Sequence, residues 1–428
     1  MEQNEESRGW LTPSRLLTVL LAAIILSLIP LLYLNILFSV LDDLDNKAWG
    51  GADFTAYYTA ARLISDGTSP YDAAAFASEA QGLGFRNDRP YIYFPFLAIT
   101  VMPLTALPPQ QAASVWFALN VALLVLSTLL MVRTLGLQKH KVAVVSLLLV
   151  TLTFYPAVSS TFVGQANALL LALLVLTWHL AKRGIDGLAG ACIAAASMVK
   201  VFPFCIALYF LWKSRYRIIL SALAALVVLA AFSIALAGLE PHITYVSSIL
   251  PTQLVKPHPL NQSLSSFIYR MIQPEQPRDV LLWRLASFSA SALVVLGTAL
   301  LIPRGRRDGA LLDLEFALVV VSMLLVSTVS WVGTLTLMII PFGAVAKELS
   351  VGERWRSARL AAITTVVSLL CINSQRVVES YIMAGSAAGS LPSCLLSMPM
   401  YGMILLWITI AYFLLKRREP PLSAIGSC

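Results

Sequence analysis

The chain has 428 residues, of which 58% are hydrophobic and 12% charged, with a formal net charge of +8. A soluble domain carries about twice that share of charge, so this composition excludes a soluble globular protein. Barrel strands would alternate in polarity, whereas this chain has long apolar runs. We therefore predict an all-α polytopic membrane protein with a single integral membrane domain over residues 1–428.

The apolar runs predict about twelve transmembrane helices. Roughly 20 apolar residues are needed to cross a bilayer, so the shorter runs must borrow flanking residues. The first run is longer than a signal-peptide core and has no convincing cleavage site, which predicts a retained span. The predicted spans are Leu16–Val40, Ala112–Met131, Val142–Tyr155, Ala168–Leu180, Leu188–Met198, Val201–Leu211, Ile218–Ala237, Val280–Leu301, Leu314–Val329, Leu335–Ala346, Leu360–Ile372 and Leu395–Leu415.

The stretch GGADFTAYYTAARLISDG, residues 50–67, follows the first span. It predicts a short helix at the membrane surface that begins at Asp53. Tyr57 falls one turn after Asp53, and Arg62 one turn after Tyr58. Two interpretations of Asp53 stay open. It is a helix N-cap, or it is a general base whose pKa is raised beside the low-dielectric membrane.

The run YFPFLAITVMPLTAL, Tyr93–Leu107, is apolar enough to resemble a span. A span here would place every later basic cluster on the opposite side of the membrane. Pro95 and Pro103 each remove a backbone donor from a helix. We therefore predict a re-entrant or interfacial helix.

Three polar side chains interrupt the apolar runs that follow. Gln165 and Asn167 open the run GQANALLLALL, and Lys200 lies between two apolar stretches in SMVKVFPF. A lone intramembrane cation is costly, so a functional role is favoured, with phosphate as the expected partner. Snorkelling of Lys200 to the headgroups and interhelical hydrogen bonding by the amides are the alternatives.

The second outer loop contains KPHPLNQSLSSFIYR. Its hydrogen-bonding candidates are His258, Asn261, Gln262 and Ser263, and an ordinary hydrated loop is the alternative. Trp331 marks the outer end of a later span, where Trp is usually an interfacial anchor.

Basic residues recur at every second connection and set the predicted orientation. By the positive-inside rule both termini are cytoplasmic, and the large loops at about 41–111, 238–279 and 373–394 face outward. Because the basic residues mark topology, they do not indicate a nucleic-acid partner. The clusters are Arg8 and Arg15; Arg133, Lys139 and Lys141; Lys182 and Arg183; Lys213, Arg215 and Arg217; Arg304, Arg306 and Arg307; Lys347, Arg354, Arg356 and Arg359; and Lys416, Arg417 and Arg418.

The chain has no phosphate-binding Gly-rich loop, no zinc signature and no Ser–His–Asp nucleophile motif. Its five cysteines lack metal-ligand spacing. Any chemistry therefore needs a substrate that arrives activated. No nucleotide pool exists outside the cell membrane, so a lipid-phosphate-linked donor is expected. No cofactor is predicted, and a weakly bound divalent cation shared with the phosphate stays an open alternative.

Several stretches together resemble glycosyltransferase family 87 of the C-type polytopic glycosyltransferases. They cover most of the chain in the family's order and are DFTAYYTAARLISDGTSPYD, YIYFPFLAITVMPLTALPP, VWFALN, GQANALLLALL, MVKVFPF and NQSLSSF. The resemblance implies a multi-pass protein of the cell (inner) membrane. It also implies inverting transfer of mannose or another hexose from a polyprenyl-phosphate donor to a glycolipid or glycan acceptor, with α-1,2 mannose transfer in the best-known members.

The resemblance also implies residue roles. Asp53 matches the catalytic base, and Lys200, Gln165 and Asn167 match residues near the donor, with Arg62 predicted beside them. The predicted cavity lining is Tyr57, Tyr58, Asn261, Gln262, Ser263, His258 and Trp331.

One departure is visible: family members often carry a His shortly after that Trp, whereas this chain has Gly333 and Thr334 there. His258 is a candidate substitute. A catalytically silent lipid-binding relative therefore stays an alternative. So does a transporter or flippase of a lipid-linked sugar or anionic solute, although no internal repeat supports it.

Overall fold

In a computed structural model of the chain, the described residues are 53–85, 90–253, 258, 260–305, 311–351, 356–375 and 393–417. They form helices joined by turns, and none of these described residues lies in a β-strand. The all-α prediction is confirmed for this part of the chain. The predicted first span, Leu16–Val40, and most of the outer loop 373–394 lie outside the described residues.

The helices are numbered here in chain order. The first predicted outer loop contains α1 (Asp53–Ser65), α2 (Ala73–Gly82) and α3 (Pro95–Val101), which a 3₁₀ turn continues over Met102–Ala106. The following helices are α4 (Pro109–Leu135), α5 (Lys141–Thr153), α6 (Tyr155–Phe162), α7 (Asn167–Lys182), α8 (Asp186–Val199), α9 (Cys205–Trp212) and α10 (Tyr216–Ala237). The second outer loop contains α11 (Glu240–Thr244), a π-helical turn (Tyr245–Ile249), α12 (Leu250–Gln253) and α13 (Leu264–Ile272). The remaining helices are α14 (Pro277–Leu301), α15 (Leu312–Val326), a 3₁₀ helix (Val332–Met338) that runs into α16 (Ile339–Val351), α17 (Arg356–Asn373), α18 (Ser393–Leu396) and α19 (Met398–Lys416).

Five helical segments among the described residues are long and apolar enough to cross a membrane, namely α4, α10, α14, Val332–Ser350 and α19. Helices α5 and α6 make a sixth if they are counted as one span bent by 48°. Pro156 opens α6, and a proline near a helix start is a common cause of such a bend. Several other apolar helices are shorter, so the count of twelve spans stays a prediction.

The segment Pro95–Ala106 is one of the short apolar helices. Its first part, Pro95–Val101, is buried on nearly all sides, with Leu97, Ala98 and Val101 fully enclosed. At a rise of 1.5 Å per residue it measures about 18 Å, well short of the hydrocarbon thickness. Its length therefore agrees with the prediction that Tyr93–Leu107 does not form a complete span.

Two buried acids hold one end of the bundle together. Asp313 on α15 accepts from Lys182 at 2.7 Å and from Lys347 at 2.6 Å, and Glu315 accepts from Lys213 at 3.1 Å. Both carboxylates are almost completely buried. The three lysines come from three of the predicted basic connections, so the fold brings those connections to the same end of the bundle.

The opposite end of the same helices is polar without being basic. Helix α7 begins at Asn167 and ends at Lys182, which separates its ends by about 22 Å. Helix α8 likewise runs from Asp186, which is paired with Arg215, to the residue before Lys200. Against this end pack α1, α3 and the start of α4, which share a small hydrophobic core of their own.

Candidate active site

Residues from four separate segments meet at the end of the bundle opposite the buried acids. The segments are the start of α1, the loop 163–167, the turn at Lys200 between α8 and α9, and the 3₁₀ helix Val332–Met338. We call the group Asp53, Gln165, Asn167, Lys200 and Thr334 the polar cluster. Its members come from four segments that are distant in sequence.

The start of α1 is anchored to the loop before α7. The backbone N–H of Asp53 donates to Val163 O at 3.1 Å, and Trp116 Nε1 donates to Gly164 O at 2.8 Å. Gly164 has φ +75°, and a Cβ there would lie 2.7 Å from Phe54 Cβ. Only glycine fits this close approach and this backbone region without strain. The contact fixes Asp53 next to the segment that carries Gln165 and Asn167.

Asp53 is the first residue of α1. A carboxylate in the first turn interacts favourably with the helix dipole, which agrees with the N-cap interpretation. Its carboxylate also raises the pKa of Lys200, so it acts on the polar cluster. The position is compatible with both interpretations, and the assignment of Asp53 as a base stays a prediction.

Lys200 is held by two oxygen atoms. Its Nζ donates to Asn167 Oδ1 at 2.7 Å and to Thr334 Oγ1 at 3.3 Å. Burial lowers the pKa of the Lys200 ammonium to about 8, and the Asp53 carboxylate partly offsets that effect. Two bonds leave one of the three N–H donors of an ammonium for an anion. The arrangement can therefore present a positive charge to a bound phosphate.

Asn167 and Gln165 make a second set of bonds. Asn167 Nδ2 donates to Gln165 Oε1 at 2.6 Å and to Ser160 Oγ at 3.0 Å. Asn167 is completely buried, whereas Gln165 is half-buried. The fold therefore brings Gln165 and Asn167 into contact, and their place near a donor stays a prediction.

The two tyrosines of α1 are packed into the small core. Tyr57 makes edge contacts with Tyr93 and Trp116, with ring centroids 5.0 and 6.2 Å apart. Tyr58 donates its hydroxyl to Leu107 O at 2.8 Å. Both side chains are almost fully buried, a position typical of structural aromatics. Their lining of a cavity stays a prediction.

Arg62 does not reach the polar cluster. It lies nine residues after Asp53 on α1, about 13 Å along the helix axis. Its guanidinium pairs with Glu79 at 3.1 Å on the surface. The structure gives no contact that supports the predicted role of Arg62 at a phosphate.

The motif at residues 261–263 forms a local network of hydrogen bonds. Asn261 Oδ1 accepts from the backbone of Ser263 at 3.1 Å and of Ser330 at 2.9 Å. Gln262 Nε2 donates to Leu396 O at 2.9 Å, and Ser263 Oγ caps α13. All three motif residues are completely buried. Their contacts indicate that the motif joins the second outer loop to the chain around residue 330, and cavity lining stays a prediction.

His258 lies against Trp331, with ring centroids 4.9 Å apart. Its Nδ1 accepts from the backbone N–H of Leu260 at 3.1 Å. The second outer loop is thus in contact with the segment that precedes Gly333. The substitution of His258 for the family's histidine stays a prediction.

Sequence reasoning missed Ser160 and gave no site role to Gly333 or Thr334. Ser160 and Thr334 are ordinary helix residues in apolar runs, and only their contacts with Asn167 and Lys200 distinguish them. Gly333 was named only because it stands where family members often carry a histidine. A Cβ there would overlap Gln165 Oε1 and lie 3.0 Å from Asn167 Nδ2, so the glycine borders the polar cluster directly.

Among the described residues, no group of three or more His, Cys, Asp or Glu side chains is placed to hold a metal ion. An apolar cavity of about 410 Å³ lies between α9, α14 and α15. Phe202, two residues after Lys200, is part of its lining. A polar headgroup at Lys200 would therefore have an apolar space nearby.

The chain is similar in sequence to known proteins. The chain is 25% identical over 296 residues to a polyprenol-phosphate-mannose-dependent alpha-(1-2)-phosphatidylinositol mannoside mannosyltransferase from Mycolicibacterium smegmatis. That match covers 65% of this chain and 66% of the relative, slightly less than two thirds of its length. The profile of Glycosyltransferase family 87 matches residues 91–328, more than half of the chain, which includes Gln165, Asn167 and Lys200. The chain therefore belongs to glycosyltransferase family 87.

Proposed function

We propose that the protein transfers a hexose from a polyprenyl-phosphate donor to a glycolipid or glycan acceptor at the outer face of the cell membrane. The observation that carries this proposal is that Asp53 and Lys200 are both held at the segment 163–167, Asp53 through its N–H to Val163 O at 3.1 Å and Lys200 through Nζ to Asn167 Oδ1 at 2.7 Å. A base for the acceptor hydroxyl and a cation for the donor phosphate are what the transfer requires of the protein.

In the proposed reaction Asp53 accepts the proton of the acceptor hydroxyl. The hydroxyl oxygen forms a bond to the anomeric carbon of the sugar while the bond from that carbon to the phosphate oxygen breaks. The electron pair of the broken bond stays on the polyprenyl phosphate, whose added negative charge Lys200 stabilises. Attack on the side opposite the leaving phosphate inverts the anomeric carbon, and Asp53 then releases its proton to water.

The donor class is supported from two directions. The relative from M. smegmatis is named for its dependence on polyprenol-phosphate mannose, which favours mannose as the sugar and an α-1,2 linkage. The apolar cavity of about 410 Å³ beside Phe202 could take part of an isoprenoid chain. The relative acts on a phosphatidylinositol mannoside, which favours a glycolipid acceptor.

The outer face is supported by the separation of the two ends of the bundle. Lys182, Lys213 and Lys347 meet at the end that the positive-inside rule assigns to the cytoplasm. The polar cluster lies at the other end of the same helices. A lipid-linked sugar is the activated donor expected on that side, where nucleotide sugars are absent.

The test uses the purified full chain in lipid with decaprenyl-phosphate mannose and a glycolipid extract, and it measures release of decaprenyl phosphate. Asp53→Asn keeps the size of the side chain but cannot accept a proton. We expect it to lower kcat at least about a hundredfold, with expression and melting temperature retained. Asp66→Asn, one residue after α1 and exposed, is the matched control and is expected to leave kcat unchanged.

Normal turnover by Asp53→Asn would show that Asp53 is only a helix cap. Movement of intact lipid-linked sugar across the bilayer without transfer would favour a flippase. If the wild-type chain neither binds nor uses the donor, the proposed function is wrong.

A further inference from the structure

Lys200, Asn167 and Gln165 are linked by a chain of hydrogen bonds, and Lys200 sets the orientation of both amides in it. A lysine ammonium has only donors, so Asn167 must turn its oxygen towards Lys200 Nζ, 2.7 Å away. Asn167 Nδ2 then points to Gln165, which must present Oε1 at 2.6 Å. The positive charge therefore fixes the orientation of both amides.

The two amides differ in how many of their N–H donors are used within the protein. Asn167 is completely buried, and its Nδ2 already donates to Gln165 Oε1 and to Ser160 Oγ. Gln165 is half-buried, and within the described part of the chain its side chain is hydrogen-bonded at Oε1. Asn167 is thus committed to the protein, while Gln165 keeps two N–H donors for a ligand.

The space occupied by the Gln165 amide exists because residue 333 has no side chain. A Cβ on Gly333 would overlap Gln165 Oε1 and lie 3.1 Å from its Cδ. The backbone of Gly333 is not in the left-handed region, so its φ does not explain the glycine. The available volume does explain it.

We propose that Gln165 Nε2 and Lys200 Nζ together bind the donor phosphate, that Asn167 is a positioning residue rather than a ligand, and that Gly333 makes room for the Gln165 amide. The inference rests on the proposed function, because phosphate is the anion of that donor. A sequence motif alone does not distinguish the roles of these three polar residues. Gln165 and Lys200 touch the ligand, and Asn167 acts through both of them.

The first experiment measures binding of decaprenyl phosphate to the full chain in lipid nanodiscs, with decaprenol as the probe without a phosphate. Gln165→Glu keeps the size of the side chain and an oxygen for Asn167, but it replaces the NH₂ group by a charged oxygen. We expect the affinity for decaprenyl phosphate to fall about tenfold or more, because a charge-assisted bond is replaced by repulsion. Binding of decaprenol is expected to stay unchanged. Gln81→Glu, exposed on α2, adds the same charge away from the polar cluster as a control.

The second experiment is a double-mutant cycle of Gly333→Ala and Gln165→Ala. Each single variant is expected to raise the KM for the donor about tenfold, with a smaller change in kcat. The added methyl displaces an amide that the second variant lacks, so Gly333→Ala in the Gln165→Ala background should add little. Gly187→Ala on α8, where a Cβ meets no atom within 4 Å, is the control.

The outcomes separate the two proposals. A wild-type chain that does not prefer decaprenyl phosphate to decaprenol overturns the proposed function and this inference together. Wild-type preference with unchanged binding by Gln165→Glu overturns only the inference, and so does additivity in the cycle. If Gly333→Ala does not fold, the isosteric Gln165→Glu variant still decides.

Discussion

At the scale of single residues, Lys200 combines a half-buried position with a retained charge. Burial lowers the pKa of its ammonium to about 8, and the nearby Asp53 carboxylate keeps the value from falling further. Because the folded pKa lies below that of a free lysine, the unfolded chain binds the proton more tightly between pH 8 and the ordinary lysine pKa. The free energy of unfolding contributed by Lys200 therefore rises with pH in that window. Below it, the charge opposes folding, which is typical of a residue held for function.

The pKa of Lys200 leads to a prediction about pH. The donor is a phosphodiester with a constant negative charge, so its attraction depends on the ammonium. We expect kcat/KM for the donor to fall as pH rises through about 8, because the free enzyme loses the charge of Lys200 there. Lys200→Arg is expected to remove this fall, since a guanidinium stays protonated. Rate measurements on either side of pH 8 check the prediction, and an identical profile for both proteins would contradict it.

Single residues also show the limit of reading roles from a sequence. Lys200 and Asn167 were recognisable because polar groups in apolar runs are costly, and the fold places them 2.7 Å apart. Arg62 is equally polar, but it pairs with Glu79 on the surface. A one-dimensional pattern reveals that a polar group is unusual. It does not reveal which neighbour compensates it.

At the scale of elements, the loop between α6 and α7 positions Asp53. Its left-handed residue, Gly164, touches the first turn of α1, and its carbonyl accepts from Trp116. A short loop with backbone bonds on both sides is more rigid than a long side chain, so it can set the position of a carboxylate.

This contact gives the second prediction. Gly164→Ala places a methyl group 2.7 Å from Phe54 Cβ and forces a positive φ on alanine. We expect it to lower the free energy of unfolding by at least about 2 kcal/mol and to lower kcat as Asp53 moves. Gly67→Ala shares the positive φ, but its Cβ would meet no atom within 4 Å, so it isolates the backbone term of about 1 kcal/mol. Thermal unfolding in detergent compares the two variants, and equal losses would contradict the role of the contact.

The broken helices explain why spans were hard to count from hydropathy. Helix α6 bends away from α5 by 48°, and a 3₁₀ helix precedes α16. Hydropathy measures composition along a window and is insensitive to bends. The same apolar residues therefore support one long span or two short helices, and only packing distinguishes them.

At the scale of the whole molecule, the protein has two chemically different ends. One end buries Asp313 and Glu315 under lysines from three connections. The other end holds the polar cluster, with Asp53 and Lys200 supplied by different segments. The ion pairs at the first end thus join α7, the end of α9 and α16 to α15.

The proposed orientation is tested with single cysteines in the intact cell. Ser78→Cys lies on exposed α2 in the predicted outer loop, and Lys139→Cys lies on the exposed connection after α4. We expect a membrane-impermeant maleimide to label Ser78→Cys from outside and to label Lys139→Cys only after the membrane is opened. The background from native cysteines is measured on the parent chain. The reverse pattern would place the polar cluster in the cytoplasm and contradict the proposed donor side.

The sequence by itself determined that this chain is apolar enough for a membrane and that its described part is helical, and it predicted the side of the membrane on which the polar cluster lies. These follow from the share of apolar residues, the lengths of the runs and the positions of the basic residues, all of which act locally or additively. It also indicated Asp53, Gln165, Asn167 and Lys200 as unusual groups. Only the tertiary structure decided which of them meet, because hydrogen bonds between segments depend on distances that no spacing encodes. The contact of Lys200 with Thr334 and the space above Gly333 exist only once the helices have packed.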